Sequence, residues 1–207
     1  EKLVYGGLTK VFAGIVIAPI GGLIVGVLLT GLIITVFANR KPAPVNKIFG
    51  RLQIISSAWF ALTHGANDGQ KTMGIIALIL FSAGMIPELD IPLWVIFAAA
   101  AAMGLGTFFG GYKVIKTLGV KITRLKPYQG FAAETGGGIM LAAFAILGIP
   151  ASTTHAITGT IMGSGAARRK RAVRWNVSRQ IVFSWIITIP GAAGMGIGFT
   201  YLIHLFV

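Results

Sequence analysis

The chain has no cysteine, and only five of its 207 residues are acidic. Without cysteine there are no disulfides and no thiolate metal sites, and the redox compartment is left open. With so few acids set against 18 Lys and Arg, the formal net charge is +13, which raises nucleic acid as a partner. The distribution of that charge argues against it. Apart from Lys2, Lys10 and Lys71, every basic residue lies in one of three runs, 39–51, 113–128 and 168–179, each between apolar segments. Charged residues are scarce overall, at 11% against 55% hydrophobic, and the mean hydropathy is +0.83. An ordinary soluble domain is excluded, and an integral, multi-pass membrane protein is indicated.

Five apolar segments follow one another: 11–38, 52–86, 91–112, 129–167 and 180–204. The first is uncharged and too long for a signal-peptide core, so it is predicted to span the bilayer. Glu1 rather than Met leads into it, and the expectation is a piece of a longer polypeptide. Basic loops mark the cytoplasmic side. The Pro87-Glu88-Leu89-Asp90 connection carries no Lys or Arg and belongs outside. The first span then runs out-to-in, the second in-to-out, the third out-to-in and the last in-to-out.

The segment 129–167 has basic runs at both ends, which a single crossing would violate. It is predicted to be a re-entrant hairpin: a helix rising over 129–147, a turn at Gly148-Ile149-Pro150, and a short helix descending over 153–167. Irregular backbone at membrane depth survives only where protein or a water-filled cavity satisfies it, so the tip should face the interior. The chain divides into a leading helix with its basic loop, 1–51, and a unit of three crossings plus hairpin, 52–207. An odd number of crossings, duplicated in tandem, gives inverted repeats. Only one such unit is present, so the second repeat belongs to a missing part of the protein or to another chain.

Two polar stretches interrupt the apolar pattern. Gly65-Ala66-Asn67-Asp68-Gly69-Gln70-Lys71-Thr72 sits inside the second segment. Asp or Lys near a bilayer midplane costs about 2.5–3.5 kcal/mol each on insertion scales, so such residues normally face a cavity or a partner. With Gly65 and Gly69 flanking the charge, the expectation is a discontinuous transmembrane helix broken over 65–71. Its second half-helix would offer a positive dipole end to an anion. A kinked helix carrying an internal Asp68–Lys71 ion pair is the plainer alternative.

The second stretch runs from Gly148 through Pro150-Ala151-Ser152-Thr153-Thr154-His155 to Gly159. Pro150 ends one helix and Ser152 and Thr153 are strong N-cap residues for the next. Three hydroxyls and free amides at a helix start make a neutral anion cradle, against which stands plain capping. Glu134, beside Thr135-Gly136-Gly137-Gly138, is either a cation ligand or proton carrier, or an interfacial acid paired with Lys126 or Arg124. His64 and Asp68, four apart, could share a helix face as metal ligands. His155 is expected to hold the hairpin through a backbone carbonyl, His204 to lie at an interface, and Lys71 to pair with Asp68 or with a bound anion. The basic runs set topology and meet anionic lipid. No nucleophile–base pair emerges, so an enzyme is not indicated.

Gly65-Ala66-Asn67-Asp68, Pro150-x-Ser152-Thr153-Thr154-His155, Glu134 upstream of the latter and Gly159/Gly163 after it together resemble the inorganic phosphate transporter (Pit) family. The likeness is to the C-terminal repeat and covers about residues 52–207. It implies an all-α membrane protein, half of an inverted-repeat architecture, that carries phosphate with Na⁺ or H⁺ by alternating access in a prokaryotic inner membrane. By the same resemblance Asn67, Asp68, Gln70, Ser152, Thr153 and Thr154 hold phosphate. Asp68, Asn67, Glu134 and Thr153 would hold the coupling ion, Na⁺ being favoured over H⁺. No other cofactor is implied, and a homodimer is one open assembly. Another tetrahedral anion such as sulfate, or a non-transporting membrane subunit, are the alternative readings.

Overall fold

The computed structural model describes residues 5–206, without the side chains of Tyr5, Lys113, Lys170, Leu205 and Phe206; Glu1 and Lys2 lie outside the described residues. Among the described residues six α-helices follow in order: α1 Tyr5–Val36, α2 Pro42–Ser82, α3 Leu93–Lys116, α4 Pro127–Ile146, α5 Thr153–Arg168 and α6 Trp175–Phe206. A π-helical turn, Thr117–Ile122, follows α3, and a 3₁₀ turn, Lys170–Ala172, follows α5. No strand occurs among the described residues. Among the described residues, three helices are long and apolar enough to cross a membrane: Gly6–Val36, Leu93–Tyr112 and Trp175–His204. The chain divides into two units, 1–173 and 174–207. The second is α6, a single 32-residue helix with Pro190 inside it.

Local sequence explains where the helices begin and end. Proline follows the extended residues Lys41 and Lys126 at the starts of α2 and α4, where its missing N–H is harmless. Gln129 accepts from the Lys126 amide at 3.0 Å, and its own Nε2 donates to the Ser164 carbonyl at 2.8 Å, tying α4 to the end of α5. The turn between them holds Gly148 at φ +60, a left-handed conformation that only glycine enters cheaply. The hairpin expected over 129–167 is thus present as two antiparallel helices, Gln129 lying opposite Ser164 and Gly137 opposite Ile157.

Small residues set how these helices pack. On α1, Gly14, Ala18, Gly22 and Gly26 recur every fourth residue; Gly14 meets the turn before α5, Gly22 and Gly26 lie along α5, and Ala18 is buried between them. A methyl group on Gly14 or Gly22 would come within 2.6 Å of the carbonyl of Pro150 or Ala156. Gly159 and Gly163 answer from α5, where an added Cβ would strike the Pro19 and Leu23 carbonyls of α1. In lipid there is no hydrophobic drive between helices, so such close backbone contact is what binds them. The helix set apart from the repeat in the sequence therefore lies against the hairpin.

Three consecutive glycines let α4 accept a neighbour on each side. Gly136 meets Val25 and Leu29 of α1, Gly137 meets Phe60 of α2 and Ile157 of α5, and Gly138 meets the Trp59 indole. Ala18, Leu141, Phe144, Ala151 and Ala156 form the core at the hairpin tip, with Phe60, Met140 and Ile149 packed on it. At the basic end, Phe49 stands edge-on to both Phe37 and Phe131. Contacts pair α1 with α5 and α2 with α4 in parallel, the directions that the basic-loop topology requires.

One expectation is corrected. α2 is a continuous 41-residue helix and does not break over 65–71. The polar residues satisfy one another on the helix itself. Asn67 Nδ2 donates back to the Thr63 carbonyl at 2.8 Å, and Asp68 meets His64 four residues before it and Lys71 three after. Gly65 and Gly69 cost only about 1 kcal/mol each in a helix interior, too little to interrupt it. No second half-helix begins here, so the dipole end expected at this point is absent, and the nearby helix N-terminus is that of α5. At 1.5 Å per residue α2 is about 61 Å long, twice the ~30 Å hydrocarbon thickness.

Candidate functional site

The site forms where the hairpin tip meets the middle of α2. Ser152, extended at φ −83 and ψ 120, caps α5, its Oγ accepting from the His155 amide at 3.4 Å. The cap leaves the first amides of α5 without helical partners, as every helix start does. It also aims the next side chain, buried Thr153, at α2, where its Oγ1 donates to Asp68 Oδ2 at 2.8 Å.

Asp68 is a hub of donors. Besides Thr153, His64 Nε2 lies 3.0 Å from Oδ2, and Lys71 Nζ donates to Oδ1 at 2.8 Å. The same ammonium donates to the Ala151 carbonyl at 2.9 Å, so Lys71 joins α2 to the tip a second time. Asn67 adds a third tie, its Nδ2 donating to the Leu141 carbonyl of α4 at 3.3 Å. The carboxylate is only partly shielded, with 30% of its side chain exposed. Phe60 stacks on the His64 ring at 5.8 Å, which holds the imidazole toward Asp68. The ring of buried His155 bonds the backbone of Ile15 on α1, holding the tip to a third helix.

Not every expected residue arrives. Asn67, Asp68, Ser152 and Thr153 are gathered, but Gln70 and Thr154 are exposed. An unbroken helix turns 100° per residue, so Gln70 points away from the face that carries Asp68. Thr154 is turned from the buried side of α5 that holds Thr153, but it stays on the first turn, open to an anion at that helix start.

Glu134 lies elsewhere. Ser56 Oγ donates to its Oε2 at 2.6 Å and Gln53 Nε2 to its Oε1 at 3.3 Å, with both donors on α2. Ser56 is twelve residues before Asp68, about 18 Å along the helix axis. One cation cannot be held by both carboxylates, and a ligand set joining Glu134 to Asp68 is corrected on that ground. Nor is there a cluster of three or more His, Asp or Glu able to hold a metal ion among the described residues. The sequence reading missed Gln53 and Ser56, although their spacing of three at the start of an apolar segment was the available signal. It also missed the Ala151 carbonyl, which as backbone leaves no mark in the sequence.

Residues 35–196 match the phosphate transporter family. The chain belongs to that family. It is 49% identical over 194 residues to a probable low-affinity inorganic phosphate transporter of Rhizobium meliloti, covering 93% of this chain and 58% of the relative. A Bacillus subtilis protein of the same description is 39% identical over 193 residues, with the same coverage. A solved structure, the sodium-dependent phosphate transporter, superposes with a TM-score of 0.72 at 26% identity, over 88% of this chain and 63% of that one. The chain spans 58% of the length of these two curated relatives. It is an integral membrane protein with a transporter fold, and a bacterial inner membrane is consistent with its bacterial relatives.

Proposed function

We propose that this chain contributes one half of the substrate site of a secondary transporter that carries inorganic phosphate by alternating access, together with a cation. The observation that carries the reading is the Thr153–Asp68 bond. It puts an anion-favouring helix start and a carboxylate side by side, both partly open. Phosphate would lie at the start of α5, on the hydroxyls of Ser152, Thr153 and Thr154 and the first amides. A cation at Asp68, with Asn67 and Thr153, would offset its charge, so that each ion strengthens binding of the other. Na⁺ is favoured over H⁺ as the coupling ion because carboxylate, amide and hydroxyl oxygens suit it. The solved relative is also described as sodium-dependent. The other half of the site would come from an inverted second repeat, and transport rather than catalysis is the activity expected.

Asp68 also bears on the choice of anion. Hydrogen phosphate has a proton with which to donate to a carboxylate, and sulfate has none. The test is labelled phosphate uptake by the full-length protein in liposomes, with and without an imposed Na⁺ gradient, with sulfate as competitor. Uptake driven by Na⁺ and indifferent to sulfate is expected. Competition by sulfate would favour the broader anion permease, and no uptake at all would favour a non-transporting subunit.

A further inference from the structure

We propose that the Lys71 ammonium and the coupling cation compete for Asp68, so that the arriving cation frees Lys71 to bind the anion. The proposal rests on the transport reading above and concerns how its two ions are coupled. Lys71 Nζ sits 2.8 Å from Asp68 Oδ1 and 2.9 Å from the Ala151 carbonyl oxygen. A carboxylate and a peptide oxygen, with the Thr153 hydroxyl bonded to the same carboxylate, are the kind of oxygens a Na⁺ ion would take. Asp68 is the single acid at this place among the described residues, and one carboxylate cannot fully neutralise both an ammonium and a metal ion.

The ammonium is a compact charge on a flexible four-carbon stem, and 46% of the Lys71 side chain is exposed. It can therefore move. Its destination is close, because α5 begins two residues after Ala151, so leaving that carbonyl for the first turn of α5 is a short swing.

Charge counting then gives coupling without a separate gate. While Lys71 is held by Asp68 the pair is neutral, and the anion meets only hydroxyls and amides. A cation that takes Asp68 releases a second positive charge beside the anion. An i,i+3 ion pair that merely steadies α2 would have neither effect.

The test is Na⁺-dependent phosphate uptake by the full-length protein and its Lys71→Met variant in liposomes. Methionine keeps an unbranched, flexible side chain only one atom shorter and removes the competing charge. The half-saturating Na⁺ concentration should fall by about two- to fivefold, the range expected from losing one partly exposed ion pair. The half-saturating phosphate concentration should rise in the same variant. Should the Na⁺ curve stay put or move upward, the competition is overturned, whatever happens to phosphate. A variant that no longer transports is read by thermal unfolding in detergent, with NaCl against choline chloride. A larger Na⁺-induced rise in melting temperature for Lys71→Met than for the wild type upholds the proposal, and an equal rise overturns it. Wild-type uptake indifferent to Na⁺ would overturn Na⁺ as the coupling ion and the competition with it. Na⁺-dependent wild type with an unaltered variant would overturn the competition alone.

Discussion

Thr153 Oγ1 lies 2.8 Å from Asp68 Oδ2, although 85 residues of chain separate them. The hydroxyl belongs to the first residue of one helix and the carboxylate to the middle of another. A hydrogen bond to a charged group in this setting does two things: it orients the carboxylate, and it fixes the start of α5 against α2. Any anion held at that helix start is then read together with the charge on Asp68.

Asp68→Asn keeps the shape of the side chain and removes its charge. Labelled phosphate uptake by the variant, at matched reconstitution levels, should drop by well over tenfold, because no counter-charge remains to hold the cation. Thr153→Val removes one hydrogen bond to a charged group, a loss on the order of 1.5–3 kcal/mol, and should cost uptake about tenfold or more. Undiminished uptake in Asp68→Asn would rule out a direct role for that carboxylate.

Glu134 has a different setting and gives a stability prediction. Ser56 is buried and donates to the carboxylate at 2.6 Å. Ser56→Ala strips one donor from a half-buried charge, and the expected loss is about 1.5–3 kcal/mol, seen as a lower melting temperature in detergent. Adding Glu134→Gln should recover part of it, since a neutral amide missing one partner costs less than a carboxylate. A melting temperature unmoved by Ser56→Ala would mean that the bond contributes nothing.

Hydropathy and capping chemistry made most of this architecture legible. Pro150, Ser152 and Thr153 located the hairpin turn to within a residue or two, because those residues act through local backbone geometry. The Gly-Ala-Asn-Asp stretch was correctly singled out as the partner of the tip. Its local form was not legible, since glycine and charge signal a break only when nothing nearby satisfies the polar groups. Here His64, Thr63 and Lys71 do so at helical spacing. The close packing of α1 on α5 was written in the four-residue recurrence of Gly14, Ala18, Gly22 and Gly26. That pattern names a face but no partner. The position of Glu134 could not be read at all, because helix register across 78 residues fixes it and no local signal does.

Gly163 shows how little room the α1–α5 contact leaves. A Cβ there would strike the Leu23 carbonyl and lie 2.9 Å from the Val27 amide nitrogen, and neither belongs to a side chain that could swing away. Gly163→Ala should therefore force the two backbones apart and destabilise the protein by about 1–3 kcal/mol. Gly50 on α2 has nothing within 4 Å of an added methyl, and Gly50→Ala should leave stability equal or about 0.5–1 kcal/mol higher. Melting temperatures of the two variants in the same detergent give the comparison, and equal shifts would contradict the backbone-contact account.

Ser152 and Thr154 separate capping from anion binding. Ser152 is the N-cap of α5 and accepts from the His155 amide, so Ser152→Ala should lower stability by about 1 kcal/mol as well as weaken phosphate binding. Thr154 is exposed on the first turn. Thr154→Val should leave the melting temperature alone and raise the half-saturating phosphate concentration, because its hydroxyl would serve the anion and not the fold. Both quantities can be measured on each variant, by uptake in liposomes and by unfolding in detergent. If Thr154→Val moves stability but not phosphate dependence, the start of α5 is a capped helix end and the anion binds elsewhere.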